Sequence, residues 1–379
     1  MSMKDKVGVI GVAIIPRAPE GGQSLEELLY EVGQLALKDA GITIEDIDGI
    51  VTGSNDQYDG RAISVMAASG SVGGVDRDIL STPSAGEHAF VMGVLRVASG
   101  QYRTHLVVAW SPTEASSLPE VQRLGNDPYY HRRLPLDEMA SHALQAGALM
   151  HAVPGLEAMA QRVVEKNRGN GQHAHAGQMP AGGWAPKRFP LQDGMAAAPV
   201  TGAVAMVLAS PDFVAEHKCG VAWVSGMGWA TEAGYLGDRD LTQASSLEAA
   251  AKQAYDTAGI TAPAGAFQVA EIADTTPYQE LLAYEGLGLA PRAEWQARID
   301  DGRFGPGGAL PVNLSGGALS LNPVFCTGMI RIAEIARQVL GRAGPQQRAV
   351  HTGLAHAASG PAMMYNTVVV LTGNQGAVA

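Results

Sequence analysis

Apolar and polar positions fall along the chain in blocks of two kinds. Nearly continuous apolar runs, KVGVIGVAI (6–14), IDGIVTGS (47–54), THLVVAW (104–110) and TGAVAMVLAS (201–210), have the length of buried strands. Between them, SLEELLYEVGQLALKDAG (24–41) spaces its apolar residues three and four apart and stops at a glycine, as a capped helix does. RAISVMAASG (61–70) reads as a short helix and AGEHAFVMGVLRVASG (85–100) as a longer one. Helices alternating with apolar strands predict an α/β sheet.

Residues 112–195 break this rhythm with YYHRR, stretches of Gly, Pro and His, and helical pieces such as HALQAGALMHAV and LEAMAQRVVEK. They predict an insertion lying over the α/β core. The later chain then repeats the earlier one. AGIT occurs at 40–43 and again at 258–261, each time closing a helical run that begins with SLE. Each is followed by a strand candidate (IDGIVTG or VAEIADT), a small-residue turn before a helix (PSAGEHAFVMGVLRVASG or FCTGMIRIAEIARQVLG), and an apolar strand (THLVVAW or AVHTGL). Four elements in one order predict two similar α/β halves packed pseudo-symmetrically. The first half takes 1–111 with 196–212, the inserted loop domain 112–195, and the second half 213–379.

Composition sharpens the class. The chain has 379 residues, 46% hydrophobic and 17% charged, enough for a large core. A formal net charge of -11 disfavours nucleic acid as a partner, because that binding needs clustered Lys and Arg. No apolar stretch reaches the roughly 20 residues of a membrane span. The apolar start is broken by glycines and Pro16 and reads as a first strand, not a signal peptide. Cys219 and Cys326 are the only cysteines, so neither a disulfide framework nor a Cys-rich zinc site is expected. Both points suit a cytoplasmic protein. The 47 glycines and sparse aromatics fit close packing of helices on strands.

Four segments carry a resemblance. VNLSGGALSLNPVFCTGMIRIAEIARQV (312–339) resembles the Gly-Gly, Gly-His-Pro and Thr-Gly segment of the thiolase superfamily, and of its sterol-carrier or lipid-transfer type in particular. IADTTPYQELLAYEGLGL (272–289), PVTGAVAMVLAS (199–210) and AVHTGLAHAASGPAMMYNTVVVL (349–371) are similar to that family's loop and helix, the strand closing its first half, and its last turn and strand. The resemblance implies two pseudo-symmetric α/β halves in a five-layer αβαβα fold, with the inserted loop domain helping to cover acyl-CoA, and usually a dimer.

The resemblance also implies which positions to watch. A thiolase uses a nucleophilic Cys, a His that activates it, a second Cys or His for the α-carbon proton, and an Asn or His for the enolate oxygen. The nucleophile turn, normally Cys-Ala-Ser-Gly, here reads Pro83-Ser84-Ala85-Gly86. Pro83 cannot attack; Ser84 is either a displaced nucleophile or an N-cap. His88, one turn on, is a base or a packed helix residue. The oxyanion loop has Ala273 in place of Asn or His, with Asp274 retained and Tyr278 as a candidate acid. The Gly-His-Pro segment reads Leu321-Asn322-Pro323, and Asn322 can donate a hydrogen bond but cannot act as a base. His351 stands where the family places an acid/base residue, with His356 nearby. Gly316, Gly317, Gly353 and Gly360 are candidate substrate-binding glycines, since Gly-rich turns let backbone N–H groups approach a thioester oxygen. Cys326, at a helix start, is a thiolate or a packed thiol. His173 and His175 have no Glu-x-x-His or Cys partner to make a metal site, and none is expected. Tyr129 to Arg133 form a basic aromatic patch that meets CoA phosphates, a partner chain or solvent.

Three readings follow. The favoured one is a lyase on acyl-CoA thioesters that makes or breaks a C–C bond without a Cys acyl-enzyme. It resembles the steroid side-chain aldolases of this family, which cleave a β-hydroxyacyl-CoA by a retro-aldol step beside a small zinc-ribbon/OB-fold partner; their reactive tyrosines fall at Ala273 and Phe325 here. The second is a non-catalytic thiolase-like subunit or acyl-CoA-binding scaffold, as a homodimer or with a homologous thiolase. The third is an acetyl-CoA acetyltransferase-type enzyme with a displaced nucleophile. All take a coenzyme A thioester as substrate or ligand, with no covalently bound cofactor.

Overall fold

The computed structural model describes residues 3–17, 23–113, 115–174 and 188–373. The first half runs β1 (Gly8–Arg17), α1 (Leu25–Ala40), β2 (Gly49–Ser54), α2 (Ser64–Ala68), β3 (Asp78–Pro83), α3 (Gly86–Ala98) and β4 (Thr104–Ser111). Three helices follow, α4 (Leu118–Gly125), α5 (Glu138–Ala152) and α6 (Leu156–Ala174), before β5 (Thr201–Ala209) and α7 (Pro211–His217). The second half runs β6 (Ala222–Thr231), α8 (Ser245–Ala258), β7 (Val269–Glu271), α9 (Pro277–Gly286), α10 (Trp295–Asp300), α11 (Gly317–Ser320), α12 (Thr327–Val339), β8 (Thr352–Ser359) and β9 (Tyr365–Thr372).

The strands form one nine-stranded mixed sheet, ordered β3-β2-β4-β5-β1-β6-β9-β8-β7. The halves meet where β1 and β6 pair through Gly8–Trp223 and Val9–Ala222. Pairing repeats across that join. β1–β5 and β6–β9 are antiparallel, as are β4–β5 and β8–β9, while β2–β4 and β7–β8 are parallel.

Side chains alternate between the two faces of each half, and this alternation builds the layers. Val107 of β4 packs inward with Phe90 and Val94 of α3 and with Met329, Ile330 and Ala333 of α12. Its neighbours Leu106 and Val108 pack outward against Leu29, Val32 and Ala36 of α1. On the far side, Val368 and Val370 of β9 pack against Leu247, Ala250 and Ala254 of α8. The order is therefore α1, half-sheet, α3 with α12, half-sheet, α8: the five-layer αβαβα arrangement.

Local chemistry explains the outer helices. Ser24 and Glu27 form a capping box at the start of α1, and Gly41 closes it at φ 73°. Gly259 closes α8 in the same way at φ 78°. Both matched AGIT segments are thus left-handed caps. A further repeat escaped the sequence reading. β1 and β6 each carry a register shift, at Val9/Gly11 and Val224/Gly226. A Cβ on Gly11 would lie 2.4 Å from the Ala36 carbonyl oxygen, and one on Gly226 2.1 Å from that of Ala254. The bulge presses the strand onto its helix in both halves, and only glycine fits.

Strands β3 and β6 were not anticipated. β3 is a half-exposed edge strand without an apolar run. β6 is broken by Ser225, Gly226 and Gly228. His175 lies outside the described residues, as does the side chain of His173.

Candidate active site

α3 and α12 start side by side in the middle layer. Gly86 and Gly328 make this possible: a Cβ on Gly86 would sit 2.8 Å from Ala109 Cβ and 2.9 Å from Met329 Cβ, and one on Gly328 2.2 Å from a Glu87 carboxylate oxygen. The chain enters α3 through two left-handed residues, Ser84 at φ 46° and Ala85 at φ 64°. Non-glycine residues hold that conformation only where their surroundings enforce it, and such strain concentrates at functional sites.

Two chambers meet over this turn. The first, about 440 Å³, is walled by Tyr58, Leu118, Pro119, Met139, Pro199, Val324 and Phe325, with Glu87, Asp137, Glu138, His142, Arg188, Thr275 and Asn322 among its polar groups. The second, about 690 Å³, is lined by Asn55, Ser84, His88, Asp127, Tyr130, His131, Tyr235, Gly360, Met364 and Tyr365. Ala85, Gln122, Glu138, Phe325 and Ser359 belong to both. Together they form one two-lobed cleft, of a size that suits an extended small-molecule ligand. The insertion supplies its roof through α4 and α5, and the half-sheets and middle helices supply its floor.

The expected site residues divide. Ser84, Asn322 and Gly360 line the cleft. The Ser84 hydroxyl accepts a 2.8 Å hydrogen bond from Asn55 Nδ2. His88 Nδ1 lies 3.3 Å from the Ser84 carbonyl oxygen, so that contact engages the backbone and not the hydroxyl. Asn322 Nδ2 donates to the Ala197 carbonyl at 3.2 Å.

Other expectations are corrected. His351 stands at the opposite end of β8 from Ser359. Eight residues at ~3.3 Å each put it roughly 25 Å from the cleft. The strand extends further than AVHTGL, and only its C-terminal end reaches the site. Tyr278 is buried in the core between α9 and its neighbours, its hydroxyl unpartnered and its pKa pushed up to about 12 by burial. Gly353 lies against Ile335, where a Cβ would come within 2.6 Å. Gly316 abuts Gly171 of α6, and a Cβ on Gly317 would overlap the Asp274 carboxylate.

That turn does hold a carboxyl group, but an internal one. Asp274 accepts the N–H groups of Ala318 (2.6 Å) and Leu319 (3.3 Å), and Asn167 Nδ2 at 2.7 Å. The glycines at 316 and 317 therefore serve the core. Cys326 is fully buried, its thiol directed at the Gly202 carbonyl 3.5 Å away and its pKa driven well up by burial. His356 is buried too, with Nε2 2.9 Å from Asn366 Oδ1 and its pKa pushed down to about 4 by burial. Neither lines the cleft.

The sequence reading missed an acidic group. Glu138 opens α5 after its N-cap Asp137. Burial, with the charges of Asp137 and Glu87 behind it, pushes its carboxyl up to about 7. Glu87, in the first turn of α3, is 2% exposed and leaves Oε1 without a partner. Burial also pushes His142 down to about 4; its Nδ1 is 2.9 Å from Gln279 Nε2. Ser359 Oγ is buried and unpartnered. A sequence signal existed only for the helix start: Asp-Glu before an apolar run marks an N-terminus. Nothing local marked these carboxylates as facing a cavity.

Comparison with known proteins accords with this architecture. Residues 228–373 match the family described as Thiolase C-terminal domain-like. Acetyl-CoA acetyltransferase of Methanothermobacter thermautotrophicus is 30% identical over 158 residues, 41% of each chain. Human sterol carrier protein 2 is 36% identical over 99 residues, 26% of this chain and 18% of that protein. These matches span less than half the length of either relative. Among solved structures, an Ltp2-ChsH2(DUF35) aldolase superposes over 99% of this chain and 100% of its own, with TM-score 0.80 at 20% identity. A monomeric SCP2-thiolase-like protein from Mycobacterium smegmatis covers 98% of this chain and 78% of its own, with TM-score 0.70 at 18% identity. The nine-stranded duplicated sheet around two middle helices is thus the fold of these thiolase-like structures, with residues 228–373 matching the thiolase C-terminal domain-like family and shorter stretches similar to acetyl-CoA acetyltransferase and sterol carrier protein 2.

Proposed function

We propose that this protein acts on acyl-CoA thioesters, breaking or forming a C–C bond without a cysteine acyl-enzyme, with retro-aldol cleavage of a β-hydroxyacyl-CoA as its reaction. One observation carries the reading: the two lobes meet over the α3 turn, and no cysteine lines either lobe among the described residues. Ser84 is held by Asn55 and lacks a base on its hydroxyl. A retro-aldol step needs no acyl-enzyme. It needs a base for the β-hydroxyl and donors for the enolate oxygen. Side-chain donors are present in Asn322 and Ser359, and the α3 N-terminus adds the positive end of its dipole. Among the solved neighbours, the one at TM-score 0.80 is an aldolase.

As in that Ltp2-ChsH2(DUF35) assembly, the reading includes a second protein, a small OB-fold/zinc-ribbon partner or a homologous thiolase subunit. Intact-mass analysis with acetyl-CoA and longer acyl-CoAs tests the first part. No adduct is expected, and aldehyde or ketone release from β-hydroxyacyl-CoAs is expected, with and without the neighbouring gene products. A covalent acyl adduct would sink the reading and return attention to Ser84. Binding without turnover, whatever partner is added, would leave an acyl-CoA-binding scaffold.

A further inference from the structure

The cleft contains a carboxylate that neither the family resemblance nor the sequence reading assigns. We propose that Glu138 is the general base of the cleft, taking the β-hydroxyl proton of a bound β-hydroxyacyl thioester, and that Glu87 is the positioning residue that tunes it. The proposal rests on the thioester reading above and names the residue that performs its proton transfer.

Geometry comes first. Glu138 lines both lobes, as Ala85, Phe325 and Ser359 do, so it stands where the two join. A thioester crossing from one lobe to the other must pass it. No hydrogen bond or ion pair to its carboxylate occurs among the described residues; its N-cap neighbour Asp137 is the one paired, with Arg188 Nη2 at 3.3 Å. Glu87 supplies an independent sign of a ligand: a 2%-exposed carboxylate lining the same lobe with Oε1 unsatisfied. Buried acceptors are rarely left unpaired unless something else occupies the space before them.

Electrostatics then suit the task. Burial, Asp137 and Glu87 together raise Glu138 to about 7, where a base is half-available at neutral pH. The other titratable groups facing the cleft are Tyr58, His142 and Arg188 in the first lobe, and Asp127, His131, His88, Tyr130, Tyr235 and Tyr365 in the second. His142 is held neutral by burial.

The step balances within the substrate. Ionised Glu138 takes the β-hydroxyl proton, and the O–H electron pair forms the new carbonyl. The Cα–Cβ bond breaks and its pair passes to the thioester as an enolate. The proton then returns from Glu138 to Cα. The products are an aldehyde or ketone and a shortened acyl-CoA, with no oxidant or second substrate.

Two assays separate this inference from the broader reading. The first is cleavage of straight-chain and ring-bearing β-hydroxyacyl-CoAs. The second is exchange of the α-protons of acetyl-CoA in heavy water, which needs the base and enolate site but no C–C cleavage. Glu138→Gln should lower both by about 10²–10⁴-fold while acyl-CoA binding by titration stays unchanged. Glu138→Asp should keep part of the activity. The wild-type rate should rise with pH through about 7. Glu87→Gln should shift that limb to lower pH by removing a like charge, a change that a merely structural role would not produce. Glu138-dependent exchange without cleavage would refute the retro-aldol reading yet support Glu138. Exchange that is equal in wild type and Glu138→Gln, or absent from both, would overturn the assignment.

Discussion

Single side chains around the α3 turn behave according to what they face. Ser84 lines the cleft but is committed to Asn55. Ser84→Ala should therefore leave turnover of a β-hydroxyacyl-CoA within about 5-fold. Asn322 donates weakly to a carbonyl at 3.2 Å and can turn to a developing oxyanion. Asn322→Ala should cost about 10²-fold in kcat, the size of one lost oxyanion donor, with little change in KM. Steady-state kinetics on the two variants distinguish these roles. Glu138 also affects stability. Its folded pKa, about 7, lies above the ordinary 4.5, so the native state holds its proton longer than the unfolded chain does. Wild-type stability is therefore lost as pH rises from about 4.5 through about 7. Glu138→Gln lacks that loss. Thermal scans should show its advantage over wild type widening between pH 5 and pH 8, at the expense of activity.

Elements are set by glycines more than by apolar bulk. The bulges in β1 and β6 lie directly on α1 and α8, with no room for a methyl group at Gly11 or Gly226. Gly226→Ala must push β6 away from α8 and should cost about 1–3 kcal/mol, read as a shift in the denaturant midpoint at unchanged slope. The same logic explains the helix starts that drew attention in the sequence. Gly86 and Gly328 bring α3 and α12 together under the cleft, and Gly317 makes room for Asp274. None of the three was needed to bare a backbone N–H to substrate.

At the scale of the molecule, an ion pair ties the second half together. Arg331 of α12 is 1% exposed and donates through Nη1 to Glu271 Oε2 of β7 and to Ser315 Oγ, each at 2.7 Å. Burial raises the Glu271 carboxyl, and the Arg331 charge offsets only part of that. Arg331→Met strands a buried carboxylate and should destabilise the fold by about 3–5 kcal/mol. Adding Glu271→Gln should recover part of it, since the pair's cost lies mostly in leaving one charge alone. Equilibrium unfolding of the single and double variants gives the answer. Asn167 and Lys166 of the insertion reach the same region, through Asp274 and Glu280. The insertion is thereby anchored to the second half while it roofs the cleft.

Much of the fold was legible because its signals are local. Apolar runs marked β1, β2, β4 and β5, helical spacing marked α1 and α3, and the AGIT repeat exposed the duplication, since each copy closes a helix with a left-handed glycine. β3 and β6 were not legible: an edge strand needs no apolar run, and a bulged strand breaks its own pattern. The site was legible only in part. Ser84, Asn322 and Gly360 lie on turns whose motifs survive in sequence, and the chain brings them to one cleft. His351 and Tyr278 carried suitable chemistry in matched segments, yet strand length and core packing take them elsewhere. Glu87 and Glu138 had ordinary helix-start signatures and come together only because α3 and α5, from the core and the insertion, converge on one cavity. By itself the sequence determined the duplicated α/β architecture and the Pro83-Ser84-Ala85-Gly86 turn, because periodicity, caps and residue identity are properties of short segments. Tertiary structure alone decided which carboxylates meet, how burial tunes them and which glycines serve packing, because those depend on residues far apart in the chain sharing a low-dielectric space.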